Sequence, residues 1–254
     1  MKNNIEKLIN TDITLENYNH KYTLKSNPGM DFYACSDLVS DQFKPFEAEK
    51  IARFLVYKTR KYSHYTVESL LAEWKEARDM GTRVHHEIDN YIKYRSSVSE
   101  SKARQGRAWI DSMTSQFGNT IYSEVIVYSE ELQIAGTVDL LIYNSDTNKC
   151  YLFDWKTSKK MDRSSSKKGI TPAAYGLDDC RFDKYSLQVN LYSHLLEKYH
   201  GIEIAGSYLL HLSDYDVDTL QASYLKSNVL QMIDVHCNSY RYSSGAYTYN
   251  AQCA

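Results

Sequence analysis

Two stretches, Gly136-Thr137-Val138-Asp139 and Phe153-Asp154-Trp155-Lys156-Thr157, decide the reading of this chain. They read as two short strands joined by a polar turn, Asn144-Ser145-Asp146-Thr147-Asn148-Lys149. Setting Tyr143 opposite Cys150 as the last antiparallel pair puts Asp139 directly opposite Asp154. Side chains alternate along a strand, so Lys156 shares a face with both acids. Val138, Leu140, Ile142, Tyr151, Phe153 and Trp155 form the other, core face. Two carboxylates facing each other repel, and a hairpin built for stability alone avoids that pairing. A divalent cation between them removes the penalty, because hard cations take carboxylate oxygens as ligands. An ordinary surface hairpin with a solvated charged face carries the same short pattern. The apolar residues on either side favour acids set at the edge of a buried sheet.

Composition bounds the rest. The chain has 254 residues, ample for a buried core in one large domain or two small ones. Its 43% apolar and 24% charged content is that of a soluble globular protein. A net charge of −2 does not advertise nucleic-acid binding, so contacts to DNA need local basic patches. No apolar run approaches the ~18 residues of a membrane span. The N-terminus has no apolar signal core, and Glu6, Asp12 and Glu16 argue against a transit peptide. The expectation is an intracellular protein of the (host) cell cytoplasm, neither secreted nor membrane-bound. The five scattered cysteines, with no CxxC pair, fit free thiols in a reducing compartment.

Along the chain, residues 1–32 read as a loosely structured arm, 33–240 as one α/β domain with a helical front half, and 241–254 as a tail. Ser36 is a candidate helix cap. A helix over 46–60 places Ile51, Phe54 and Leu55 on one stripe, and Thr66 caps a run over 67–80 that Gly81 interrupts. Further helices are expected over 82–94 and 101–117. The period then changes to that of strands over 121–128, 132–143 and 150–156. A polar loop of about 25 residues follows over 159–183, and loops that long are usually functional or disordered. A strong helix over 185–200 is closed by Gly201, and 202–212 reads as a strand. A last helix is expected over 217–237.

Other candidates join the hairpin. His85 and Asp89 sit four apart at the margin of the stripe Val84, Ile88, Tyr91 and Ile92, while His86 faces water. A half-buried structural histidine is the plainer reading of His85. Gln188 and Tyr192 form a similar pair on the helix with stripe Leu187, Leu191 and Leu195, where a polar flank is the plainer reading. Glu124 opens a strand that can point to the same place, although an exposed strand glutamate is commoner. Basic residues gather around the long loop (Lys156, Lys159, Lys160, Arg163, Lys167, Lys168) and on the helix before the sheet (Lys102, Arg104, Arg107). A basic loop leaving directly from a metal site is well placed to hold phosphates.

Taken in order, Gly81-Thr82-x-x-His85, Glu124, Gly136-x-x-Asp139, Asp154-Trp155-Lys156-Thr157 and Gln188-x-x-x-Tyr192 resemble the PD-(D/E)XK nucleases of the RecB-like branch. The likeness covers roughly residues 80–212 and is nearest to the viral, phage and mitochondrial genome-maintenance exonucleases. It implies a restriction-endonuclease-like α/β core with a central mixed sheet flanked by helices. It implies that His85, Asp139, Asp154 and the main-chain carbonyl of Trp155 ligate one or two Mg2+ or Mn2+ ions. Lys156 would orient or activate the attacking water, with Glu124 a further acid of the site. Gln188 and Tyr192 would contact DNA or order the site, and Thr157, Lys159, Lys160 and Arg163 would lie along the DNA. The iron–sulfur relatives carry a tight downstream cluster of three cysteines. Here Cys237 and Cys253 stand sixteen apart with none between, so no cluster is expected. The function so implied is a metal-dependent deoxyribonuclease, an exonuclease of viral or phage replication, recombination or repair. Its alternatives are a non-catalytic nucleic-acid binder on a nuclease scaffold and a site- or structure-specific endonuclease.

Overall fold

The hairpin forms in the expected register, in a computed structural model that describes residues 1–16, 21–116 and 119–244. Leu140, Leu141, Ile142 and Tyr143 lie opposite Phe153, Leu152, Tyr151 and Cys150, and one further pair, Asn144 with Lys149, tightens the turn. In chain order the elements are α1 (Lys2–Ile9), β1 (Ile13–Glu16), β2 (Lys21–Leu24), β3 (Tyr33–Ala34), α2 (Cys35–Ser40), α3 (Ala48–Lys58), α4 (Val67–Tyr94) and α5 (Ser101–Gln116). There follow β4 (Thr120–Ser129), β5 (Ile134–Asn144), β6 (Lys149–Lys156), α6 (Arg181–His200), β7 (Ile204–Leu212), β8 (Val217–Gln221) and α7 (Lys226–Ser244).

The fold is α/β, with a mixed six-stranded sheet at its centre. β5 pairs with β4 and β6 antiparallel and with β3 parallel; β6 runs parallel to β7, and β8 closes the far edge antiparallel. Both faces of the sheet are buried, so the face that carries the acids is covered as well as the expected core face. On one side, Val84 and Ile88 of α4 and Ile110 of α5 pack on Leu140, Ile142, Phe153 and Trp155. On the other, Leu187, Leu191 and Leu195 of α6 pack on Leu141, Leu152 and Leu209. Val138 belongs to this second cluster, although Leu140, two residues on, belongs to the first. Central strands covered on both faces carry nearly continuous apolar runs, and alternation understates them.

Other expectations change as well. Where a loose arm was expected over 1–32, α1 forms and β1 pairs antiparallel with β2, with Ile5, Leu8, Tyr22 and Leu24 buried. Thr66 caps α4 as expected, its side chain accepting from the Ser69 amide while Ser69 returns a bond. The helix then runs through Gly81 without a break for 28 residues. α2 begins at Cys35 after Ala34, so Ser36 is not its cap. On α3 only Ala52 is buried; Ile51 and Leu55 are half-covered and Phe54 is exposed. The expected last helix begins with strand β8 instead, and α7 follows it to Ser244; the rest of the tail, like the expected helix end at 117, lies outside the described residues. Gly201 does close α6, at φ 61°. The long loop is packed, with Ala173, Ala174 and Leu177 buried. Among the described residues, no helix is long and apolar enough to cross a membrane.

Candidate metal centre

β5 loses both of its neighbours at one residue. Toward β4, the ladder joins Ser123 to Leu140 and Val125 to Val138 and skips the pair between them, Glu124 with Asp139. Glu124 has φ 50°, in the left-handed region that a side chain with a Cβ rarely adopts. Toward β6, the ladder ends at Leu140 and Phe153, one step before Asp139 and Asp154. β3 pairs with Ile134 and Ala135 only, so β5 from Gly136 to Asp139 runs between two partners. In this gap the Trp155 amide donates to the Asp139 side chain (Oδ2, 2.8 Å) instead of to a strand carbonyl.

α4 delivers His85 over the opening. Its Nδ1 lies 3.5 Å from Asp139 Oδ1. Ligand atoms of His85, Glu124 and Asp139 all fall within 4.8 Å of one another. Glu124 therefore belongs to the site directly and is not an exposed strand acid; the strained backbone that places it there left no signal in the sequence. Asp154 is not one of the three. It is 2% exposed, and its Oδ2 lies 2.5 Å from Lys156 Nζ but receives no well-directed hydrogen bond. Asp89 serves structure: it accepts from Ser123 Oγ (2.6 Å) and pairs with Lys93, tying α4 to β4. His86 is exposed, as expected.

Lys156 is held from the α6 side. Its Nζ lies 3.4 Å from Gln188 Oε1, to which it donates, and 4.1 Å from the Tyr185 ring centre. Gln188 Nε2 in turn donates to the Tyr192 hydroxyl (2.8 Å). Tyr192 is 4% exposed, so it orders Gln188 and does not touch a ligand in solvent. Two glycines permit these approaches. A Cβ on Gly136 would stand 2.5 Å from the Tyr192 ring and 2.8 Å from Cys35 Sγ. One on Gly81 would stand 2.8 Å from Thr157 Oγ1, which is why α4 passes β6 at a glycine. Thr157 is packed there, and its carbonyl accepts from Lys102 Nζ (2.5 Å). Lys102 is thus a buried tie between α5 and β6, where a surface basic patch was expected. Of the remaining basic candidates, Lys159 pairs with Glu73, Arg163 stacks on Phe182, and Lys160 is exposed.

The electrostatics follow from burial. Burial first, and then the Asp139 charge, pushes the Glu124 carboxyl up to about 8. Burial also lifts Asp154, to about 6, against the pull of Lys156. Asp139 goes the other way: burial opposes it, but the His85 imidazole and Lys156 outweigh that and hold it below the usual carboxylate range. His85 and Lys156 are both raised, because nearby carboxylates outweigh the burial that would lower them. The cluster is short of positive charge. Two carboxylates and an imidazole around one opening, with a further buried carboxylate beside them, form a donor set that suits a hard divalent cation.

No protein-family model matches the chain, and no curated protein matches it. One solved structure that it resembles, the crystal structure of SSO0001, is 13% identical, with 94% of this chain and 84% of that one covered and a TM-score of 0.36. A likeness that loose bears on neither fold nor function.

Proposed function

We propose that this chain is a Mg2+- or Mn2+-dependent deoxyribonuclease that hydrolyses phosphodiester bonds, working as an exonuclease on DNA ends. The observation that supports it most is the double opening of β5 at Asp139, which gathers His85, Glu124 and Asp139 beside the Asp154–Lys156 pair. His85, Glu124 and Asp139 would hold the ion, with Asp154 the adjoining carboxylate. A bound divalent cation supplies an acidified water and neutralises charge on the phosphate.

The protein's own groups divide the remaining work. Lys156, kept protonated by Asp154, supplies fixed positive charge where negative charge develops on the phosphate, which suits it less to act as a base. Gln188, braced by Tyr192, sets the position of that ammonium. Glu124 holds a proton near neutral pH in the metal-free protein, so ion uptake is coupled to proton release.

The test is digestion of end-labelled single- and double-stranded DNA with and without chelator. Nucleotide release should require the metal and should be lost in Asp154→Ala. Undiminished cleavage in that variant or in excess chelator sinks the mechanism. Cleavage of closed circular DNA as readily as linear DNA replaces the exonuclease with an endonuclease of the same chemistry.

A further inference from the structure

Helical spacing lays an apolar stripe along α3, and the fold leaves most of that stripe uncovered. Ala52 alone is fully buried, while Phe54 is 62% and Tyr57 73% exposed. Just before the helix, Phe46 is 68% exposed and leans on Trp74 of α4, ring centres 5.4 Å apart. A groove of about 620 Å³ beside Phe54 is lined by Lys44, Lys50 and Ile51 and by Lys167 of the long loop, with Glu47 as the one acid among them. Two features separate this face from a patch awaiting an apolar partner. Its charge is strongly positive: residues 44–61 carry six basic side chains (Lys44, Lys50, Arg53, Lys58, Arg60, Lys61) against Glu47 and Glu49, in a chain whose net charge is −2. The chain also links it to the candidate centre. The chain leaving Lys156 passes Lys159, Lys160 and Arg163 before Lys167 reaches the groove, and the next turn is anchored by Ile170 N–H donating to the Gln42 carbonyl (2.8 Å).

The geometry points to a single-stranded DNA-binding face on α3, which extends the nuclease reading and rests on it for the identity of the ligand. Phe54 and Tyr57, three apart and thus neighbours on one helix face, offer rings on which unpaired bases stack. Lys44, Lys50 and Lys167 take the phosphates. Lys50 is bound to Glu47 (2.7 Å), but both side chains are widely exposed, and such a pair yields readily to a phosphate. Duplex DNA hides its base faces in the stack and would use only the lysines. Exposed rings interleaved with lysines therefore select the single strand.

The experiment is fluorescence anisotropy with labelled oligo(dT) and a matched hairpin duplex, in chelator so that nothing is cut. The double variant Phe54→Ala/Tyr57→Ala should lose roughly tenfold or more in oligo(dT) affinity while its duplex affinity stays the same. Lys50→Gln/Lys167→Gln should flatten the salt dependence of oligo(dT) binding by about 0.7 in log–log slope for each phosphate no longer neutralised. Unchanged oligo(dT) affinity in the aromatic variant overturns the inference, as does an equal loss on duplex. A change in sedimentation with Phe54→Ala at constant DNA affinity also overturns it, since the face then belongs to a second copy of the chain. The two readings fail separately. Ring-dependent binding without metal-dependent hydrolysis removes the nuclease and leaves this site. Intact hydrolysis of bis(p-nitrophenyl) phosphate by an aromatic variant with undiminished oligo(dT) binding does the reverse.

Discussion

The opening around Asp139 and the outer face of α3 use charge and aromatic area in opposite ways. At Asp139 the fold buries Asp154, half-buries Glu124 in a left-handed backbone, and pushes their carboxyls above the usual range. On α3 the rings and lysines stay in water and Ala52 is the one fully buried side chain. The first arrangement weakens the metal-free fold and makes sense when a cation offsets the strain; the second costs the fold almost nothing. Substitutions in the centre should therefore move stability and activity together, and those on α3 should move binding alone.

The sharpest break in that contrast comes from Lys156→Ala. Removing a fixed charge aimed at a developing oxyanion typically lowers kcat by about 10²–10³. The same change leaves Asp154 buried without its cation, so the melting temperature should fall as well. Single-turnover cleavage rates and thermal melts read the two effects. A rate within a factor of two of the parent removes Lys156 from the chemistry.

Next in size is Gly136→Ala. The new methyl meets the Tyr192 ring and Cys35 inside the core, and overpacking of this kind costs about 1–3 kcal/mol. Gly176→Ala, where nothing lies within 4 Å of the added carbon, is the matched control. If both variants melt alike in denaturant titrations, the close seating of Tyr192 on β5 is wrong.

The pH dependence of metal-free stability comes third. Glu124 and Asp154 keep their protons in the fold to about 8 and about 6, whereas unfolded carboxyls release them near 4. Between those values the folded state binds more protons than the unfolded one. Stability therefore falls as pH rises, by at most about 1.4 kcal/mol per pH unit for each such proton. Asp139, whose carboxyl is lowered, contributes in the opposite sense: its share is present above the unfolded value and is lost as pH falls through the lowered one. Melts in chelator from pH 5.5 to 8.5 should show the decline, and Glu124→Gln should flatten it and stabilise the protein at the alkaline end. Mg2+ should raise the parent's melting temperature more than the variant's. A Glu124→Gln profile that superimposes on the parent's removes the buried-charge account. Smallest of all is the stability effect of Phe54→Ala, expected within about 0.5 kcal/mol, as for exposed positions elsewhere.

Much of this was legible in the sequence. Alternation and the polar turn set the β5–β6 register, helical spacing and a Thr66 cap set the start of α4, and Gly201 set the end of α6. These signals are local, so a window of a few residues contains them. The α/β class follows from the same periodicities. What could not be read locally were the consequences of layers meeting. Gly81 read as a break because its reason, the Thr157 hydroxyl, lies far along the chain. Lys102 read as surface charge because its carbonyl partner comes from another layer.

The candidate centre divides in the same way. Sequence alone determined that Asp139, Asp154 and Lys156 come from two adjoining strands and that His85 stands at a helix margin, because strand and helix periods are properties of the chain itself. Only the tertiary structure decided which groups meet. Both ladders open at Asp139, a strained Glu124 enters from β4, Lys156 takes Asp154, and α3 is left with its rings in solvent. Those outcomes depend on which layer covers which, and on how closely backbones approach at Gly81 and Gly136. Side-chain packing across layers carries no period, and a sequence read along its length does not record it.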